Sequence, residues 1–194
     1  MDLKNYLKAH PKTHLIFDLD ETILHLILPW EKVHLEIKNE LIKLDAKAYQ
    51  NYQNGKINLS QLENTLVLKH GKKVKDMLIK SRAQFETKYL KDVIPNPELI
   101  TFIKKAKSYK LYLWSSNSAG AVKKALKQFK IDKYFEKIVT GTDVLLLKPE
   151  IDGFLKIYDP KVPKSQYLFI GDNESDKKAA QKAGIDCYLT TYFH

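Results

Sequence analysis

Cysteine occurs once in the 194 residues, at Cys187, so no internal disulfide can form and the chain suits a reducing compartment. Arginine also occurs once, at Arg82, although Lys+Arg number 33 against Asp+Glu 23 and the formal net charge is +10. Proteins that read nucleic acid draw freely on arginine, whose planar fork matches phosphates and guanine edges. A surplus made of lysine and spread along the chain therefore argues against a nucleic-acid partner, while still attracting small anions at long range. Its densest runs, Lys104-Lys105-Ala106-Lys107 and Lys123-Lys124, read as solvated helix faces. No apolar run approaches the ~20 residues that cross a bilayer. Met1 to Lys8 contains no uninterrupted apolar stretch of the signal-peptide kind. The expectation is a cytoplasmic protein with no membrane partner. Internal repeats and low-complexity segments are absent as well. A hydrophobic fraction of 44% with 11% aromatics excludes a disordered chain. The length suits one core domain with a small insert, as a monomer or a homodimer.

What is present is a series of short apolar runs that each end in a polar cluster, the pattern of buried parallel strands opening onto a site. His14 to Phe17 runs into Asp18-Leu19-Asp20-Glu21-Thr22, and Leu111 to Trp114 into Ser115-Ser116-Asn117-Ser118. Ile138-Val139 runs into Thr140 to Asp143, Tyr167 to Ile170 into Gly171-Asp172-Asn173-Glu174, and Cys187 to Leu189 closes the series. Between them lie helical segments: Pro97 to Lys107 with Asn96 as N-cap, Ser118 to Phe129, and Ser175 to Ala183 with Gly184 at its end. Strand and helix alternate from about residue 93 onward, which predicts an α/β fold with a Rossmann-like parallel sheet and helices on both faces. Ligands of such sheets gather at the C-terminal strand ends, where the polar clusters fall.

The stretch from His25 to Asp92 breaks this alternation. It is rich in Lys, Asn and Gln, with helical periodicity in Leu41 to Tyr52 and Val74 to Tyr89. The expected organisation is a core of residues 1–24 and 93–194 interrupted by a small helical cap over 25–92. The apolar piece Ile23 to Leu28 before Pro29 reads either as a strand extension or as the entry to the cap.

Asp18 and Asp20 by themselves are compatible with a solvated turn, and Asp172 and Asp176 with an acidic helix start favoured by the dipole. Placed at one sheet edge, the four carboxylates repel one another unless a cation neutralises them. Hard oxygen ligands suit Mg²⁺, which keeps positions for water and a phosphate oxygen. Ser116-Asn117 offers a hydroxyl and amides to phosphate, and Lys148, before Pro149, a cation. A carboxylate beside Mg²⁺ and lysine is a phosphoryl-transfer arrangement.

Asp18-Leu19-Asp20-Glu21-Thr22 resembles the DxDxT first motif of the haloacid dehalogenase superfamily. Trp114-Ser115-Ser116-Asn117 is similar to its second motif, Lys148-Pro149-Glu150 to its third, and Gly171 to Asp176 to the GDxxxD fourth. Glu21 stands where glycine is frequent in the family. The resemblance implies an Asp18 nucleophile that forms an aspartyl-phosphate, and an Asp20 acid and base. It implies Ser116 and Lys148 on the phosphoryl oxygens, with Asn117 beside Ser116, and Mg²⁺ held by Asp18, the backbone carbonyl of Asp20, Asp172 and Asp176. Asp176 has two roles open, orienting metal-bound water or pairing with Lys148, and Ser115 is the alternative to Ser116. The expected activity is a phosphatase acting on a small phosphorylated metabolite; the alternatives are a phosphomutase of the same fold and a catalytically silent binding module.

Other conspicuous residues carry blander readings. The histidines, among them His25, His34 and His70, lack metal-ligand spacing, and His25 is the one nearest the first motif. Tyr49 and Tyr52 read as cap core, Cys187 as a core strand thiol, and Arg82 and Lys88 as a solvated face.

Overall fold

The computed structural model describes residues 2–32 and 37–194, so His34 lies outside the described residues. Along the chain the elements are α1 (Leu3–Ala9), β1 (His14–Phe17), β2 (Leu24–Leu26), α2 (Lys38–Gln53), α3 (Leu59–His70), α4 (Lys72–Tyr89) and β3 (Val93–Pro95). Then follow α5 (Pro97–Lys105), β4 (Lys110–Trp114), α6 (Ala119–Gln128), β5 (Lys137–Val139), α7 (Asp152–Ile157), β6 (Tyr167–Gly171), α8 (Glu174–Ala183) and β7 (Asp186–Leu189).

Five strands form one parallel sheet in the order β5-β4-β1-β6-β7. The apolar runs are continuous because each strand is covered on both faces, and the strand period of two divides their side chains between two cores. Leu15, Phe17, Leu111, Leu113, Leu168 and Ile170 pack with α1, α5 and α6. Ile16, Tyr112, Trp114, Tyr167 and Phe169 pack with α7 and α8 on the opposite face. The α/β fold with helices on both faces is thus as the alternation predicts.

Caps set where the helices begin. Asn96 accepts from the Leu99 N–H with Pro97 in the first turn, and Ser118 caps α6. Asn173 and Asp176 make a capping box on α8, and Gly184 ends it in the left-handed region at φ 71°.

The segment between β2 and β3 is helical and has its own apolar cluster, built from Leu41, Ala48, Tyr49, Leu62, Leu66, Val67, Val74 and Leu78. Helix α3, which the periodicity does not single out, begins at a capping box of Asn58 and Gln61. Within α2, Asp45 leaves helical geometry and its carboxylate accepts from the Ala48 N–H, so the helix restarts there. Ile23 to Leu28 does not extend β1: Leu24–Leu26 form the separate strand β2, which pairs antiparallel with β3, and Leu24, Leu26 and Val93 belong to the sheet core. Residues at both edges of the 25–92 segment therefore form a two-stranded ribbon that packs on the sheet. Among the described residues, no helix is long and apolar enough to cross a membrane.

Candidate active site

Strand order brings distant loops together. With β1 between β4 and β6, the loops after Phe17, Trp114 and Gly171 leave the same sheet edge side by side. The Asp18 N–H donates to the Ile170 carbonyl at 2.8 Å, which continues the β1–β6 ladder into the loop. Carboxylate oxygens of Asp18, Asp172 and Asp176 thereby lie within 4.8 Å of one another.

Lys148 is buried between them, its Nζ 2.7 Å from Asp18 Oδ1 and 2.6 Å from Asp176 Oδ1. Burial would lower the lysine pKa, but the Asp176 and Asp18 carboxylates outweigh it and raise it. The contact to Asp18 is an ion pair outside hydrogen-bond geometry, and Asp18 Oδ1 has no hydrogen-bond partner among the described residues. Burial pushes the Asp18 carboxyl well up, Lys148 pulls it down, and Asp176 and Asp172 push it up again. Asp172 is raised too, by burial first and then by Asp176. Three carboxylates against one ammonium leave a buried excess of negative charge. That donor set, all hard oxygens, fits a divalent cation.

Each sequence-predicted residue has a distinct place. Both oxygens of the Asp176 carboxylate accept: Oδ1 from Lys148, Oδ2 from the N–H groups of Asp172 and Asn173. Of its two readings, pairing with Lys148 is the one seen. Asp172 Oδ1 accepts from the Thr22 hydroxyl at 3.0 Å. Thr22, fully buried and quoted from the sequence only within a motif, holds the Asp172 carboxylate of the neighbouring loop. The Asp20 carboxylate accepts from the Leu26 N–H at 2.8 Å and stands outside the three-carboxylate group. Burial raises its pKa to about 7, against the Leu26 bond. Glu21, where the family often carries glycine, sits at φ 58°, the left-handed turn that lets the chain reverse after Asp20. His25 Nδ1 approaches Asp20 Oδ1 at 3.8 Å and Glu21 Oε1 at 3.7 Å, and Glu21, Asp172 and His194 form a second group at the rim.

In the second-motif turn Ser115 is committed to structure: its hydroxyl donates to Asn117 Oδ1 and accepts from the Asn117 N–H. Asn117 also donates through Nδ2 to Glu86 Oε1 at 3.1 Å. Its backbone N–H, its amide oxygen and one amide hydrogen are thus engaged in bracing the turn. Ser116 and Asn117 both line the cavity.

That cavity, about 370 Å³, has Asp18, Asp20, Ser116, Lys148 and Asp176 at one end. Trp30, Asn58, Leu59, Ser60 and Arg82 form the wall contributed by the helical segment and its approach. Arg82 is corrected from solvated face to buried wall: it is 7% exposed and donates to Glu63 Oε1 at 2.6 Å. Burial would lower its pKa; Glu63 and then Glu86 raise it. Lys88 is exposed, as expected. Buried polar contacts seat the helices on the sheet domain. Asn64 exchanges hydrogen bonds with the Leu147 backbone at 2.8 Å in both directions, Lys75 donates to the Gly141 carbonyl, and Asn58 to Ser175.

Residues 15–190 match the family model of the haloacid dehalogenase-like hydrolases, and the chain belongs to that family. A phosphoglycolate phosphatase of Pseudomonas fluorescens is 40% identical over 68 residues, 34% of this chain and 25% of that protein, so the match spans a quarter of its curated relative. Among solved structures, a HAD family enzyme of Bacteroides thetaiotaomicron, crystallised with magnesium and inorganic phosphate, is similar with a TM-score of 0.55 and 24% identity, over 94% of this chain and 96% of that one. A predicted phosphoglycolate phosphatase of Haemophilus somnus has a TM-score of 0.61 at 22% identity, over 93% of this chain and 86% of that one.

Proposed function

We propose that the protein is a Mg²⁺-dependent phosphatase that hydrolyses a small phosphate monoester through an aspartyl-phosphate on Asp18. The observation that carries this reading is Asp18 Oδ1: buried, without a hydrogen-bond partner, 2.7 Å from Lys148 Nζ and on the floor of the cavity. Asp18 attacks phosphorus, the bond to the leaving oxygen breaks, and Asp20 gives that oxygen its proton. A carboxyl with a pKa of about 7 is well matched to giving and recovering a proton near neutrality. Water then attacks phosphorus, passes its proton to Asp20, and the bond to Asp18 breaks, which restores the carboxylate. Lys148 and Ser116 hold the phosphoryl oxygens. Asp18 and Asp172, with the Asp20 carbonyl and Asp176 at hand, would hold Mg²⁺, which would neutralise charge on the transferred group.

In this reading residues 1–24 and 93–194 are the hydrolase core, α2–α4 are a cap, and the β2–β3 ribbon joins them. A cavity of about 370 Å³ suits a small metabolite, whose leaving group meets Trp30, Asn58 and Arg82. The name of the Pseudomonas fluorescens relative puts phosphoglycolate on the test panel.

The test is phosphate release from a panel of phosphorylated metabolites with Mg²⁺. At least one is expected to be hydrolysed, and Asp18→Asn to slow that hydrolysis by about 10³-fold or more. An Asp18→Asn protein as fast as the parent sinks the nucleophile assignment.

A further inference from the structure

Glu86 is a buried carboxylate, 1% exposed, in the middle of α4, and it does not line the cavity. Both of its oxygens point at one turn of the sheet domain. Oε1 accepts from Asn117 Nδ2 at 3.1 Å; Oε2 accepts from the Ser118 N–H at 3.0 Å and from the Ser118 hydroxyl. A helix that had only to dock could do so with apolar contacts, and burying a charge for that purpose is costly. Here three donors satisfy the carboxylate, and Arg82, one turn earlier on α4, is its electrostatic neighbour.

The turn that Glu86 grips runs from Ser115 to Ser118. Ser115 and Asn117 are bonded to each other, and Ser118 is the N-cap of α6. The Asn117 carbonyl accepts from the Gly141 N–H at 2.8 Å. Ser116, between these fixed residues, lines the cavity together with Asn117.

We propose that Glu86 is a positioning residue for Ser116: from the helical segment, its carboxylate holds the 115–118 turn in the form that presents the Ser116 hydroxyl to a phosphoryl oxygen. Seating of α4 on the sheet domain and assembly of the phosphate site are then one event. The inference rests on the phosphatase reading for the role of Ser116, and on the three hydrogen bonds for the role of Glu86.

A double-mutant cycle on the full chain decides it, with inorganic phosphate in the presence of Mg²⁺ as ligand and calorimetric affinity as readout. Glu86→Gln keeps the shape but replaces one acceptor oxygen by a donor. It is expected to weaken phosphate binding about tenfold, and by less than about twofold once Ser116→Ala is present. An equal loss in both backgrounds, or no loss, overturns the proposal, because a merely structural role would not depend on Ser116. If Glu86→Gln does not fold, Asn117→Ala, which removes the Oε1 bond, is judged by the same rule. A parent that binds phosphate but hydrolyses no monoester refutes the phosphatase reading and leaves the cycle intact. Hydrolysis with an additive cycle refutes Glu86 alone. A parent that binds no phosphate removes both.

Discussion

His14 opens β1 as a buried residue, its Nδ1 2.8 Å from the Thr13 hydroxyl and its ring stacked on Tyr112 and tilted against Tyr167. Burial lowers its pKa from the ordinary 6.5, and Lys110 lowers it further. The folded protein thus keeps His14 neutral where the unfolded chain takes a proton. Its contribution is fully present above pH 6.5 and is lost as pH falls below that value toward the folded pKa. Between pH 7.5 and 5.5 in urea unfolding, His14→Phe should lose less stability, or gain more, than the parent, in which buried carboxylates with raised pKa act in the opposite sense to His14; the same change in both would refute the assignment. At this scale much was readable. Carboxylate, lysine and hydroxyl announce their chemistry wherever they stand, so Asp18, Lys148, Asp172 and Ser116 could be picked out as residues. Arg82 could not, because nothing in its own side chain says whether water or Glu63 will meet it. The hydrogen bond from Asn117 to Glu86, 31 positions away, was unreadable for the same reason.

Glycine shows how elements meet. Gly171 ends β6 where the first turn of α8 folds back, and a Cβ there would strike the Asp176 side chain. Gly153, in α7, presses in the same way on the Trp114 indole. Gly171→Ala should displace Asp176 and with it Lys148. The expected cost is about 1–3 kcal/mol of stability in urea melts, together with a fall in phosphate release of at least about tenfold; wild-type activity would show that the Asp176–Lys148 pair tolerates movement. The strands and the helices of the α/β half were legible from period and caps. Helix α3 was not, since its buried face includes Glu63 and Asn64, polar residues that satisfy themselves on Arg82 and on the Leu147 backbone. Nor was the β2–β3 ribbon, whose strands are three residues each and far apart in sequence.

For the molecule as a whole, the consequence of the acidic cluster is a linkage between metal and folding. A cation bound by the native state alone should stabilise it by about 3 kcal/mol at a hundredfold excess over Kd, which for a chain of this size raises Tm by roughly 5–10 °C. A thermal melt with and without Mg²⁺ measures it, and Asp172→Asn should abolish most of the rise. EDTA should stop phosphate release, with recovery on adding Mg²⁺. A Tm indifferent to Mg²⁺ in the parent would count against Asp18, Asp172 and Asp176 as its site.

From sequence alone came the residue types, the strand–helix alternation and the order of four motifs, and those point to the haloacid dehalogenase-like hydrolases, because short-range periodicity and side-chain chemistry are local properties. The tertiary structure alone decided which carboxylates share one volume, that Asp20 turns to Leu26, that Arg82 turns to Glu63, and that Glu86 reaches the sheet domain from the helical segment. Those are matters of strand order and packing, in which the contact partners are separated by tens to hundreds of residues and no local pattern records them.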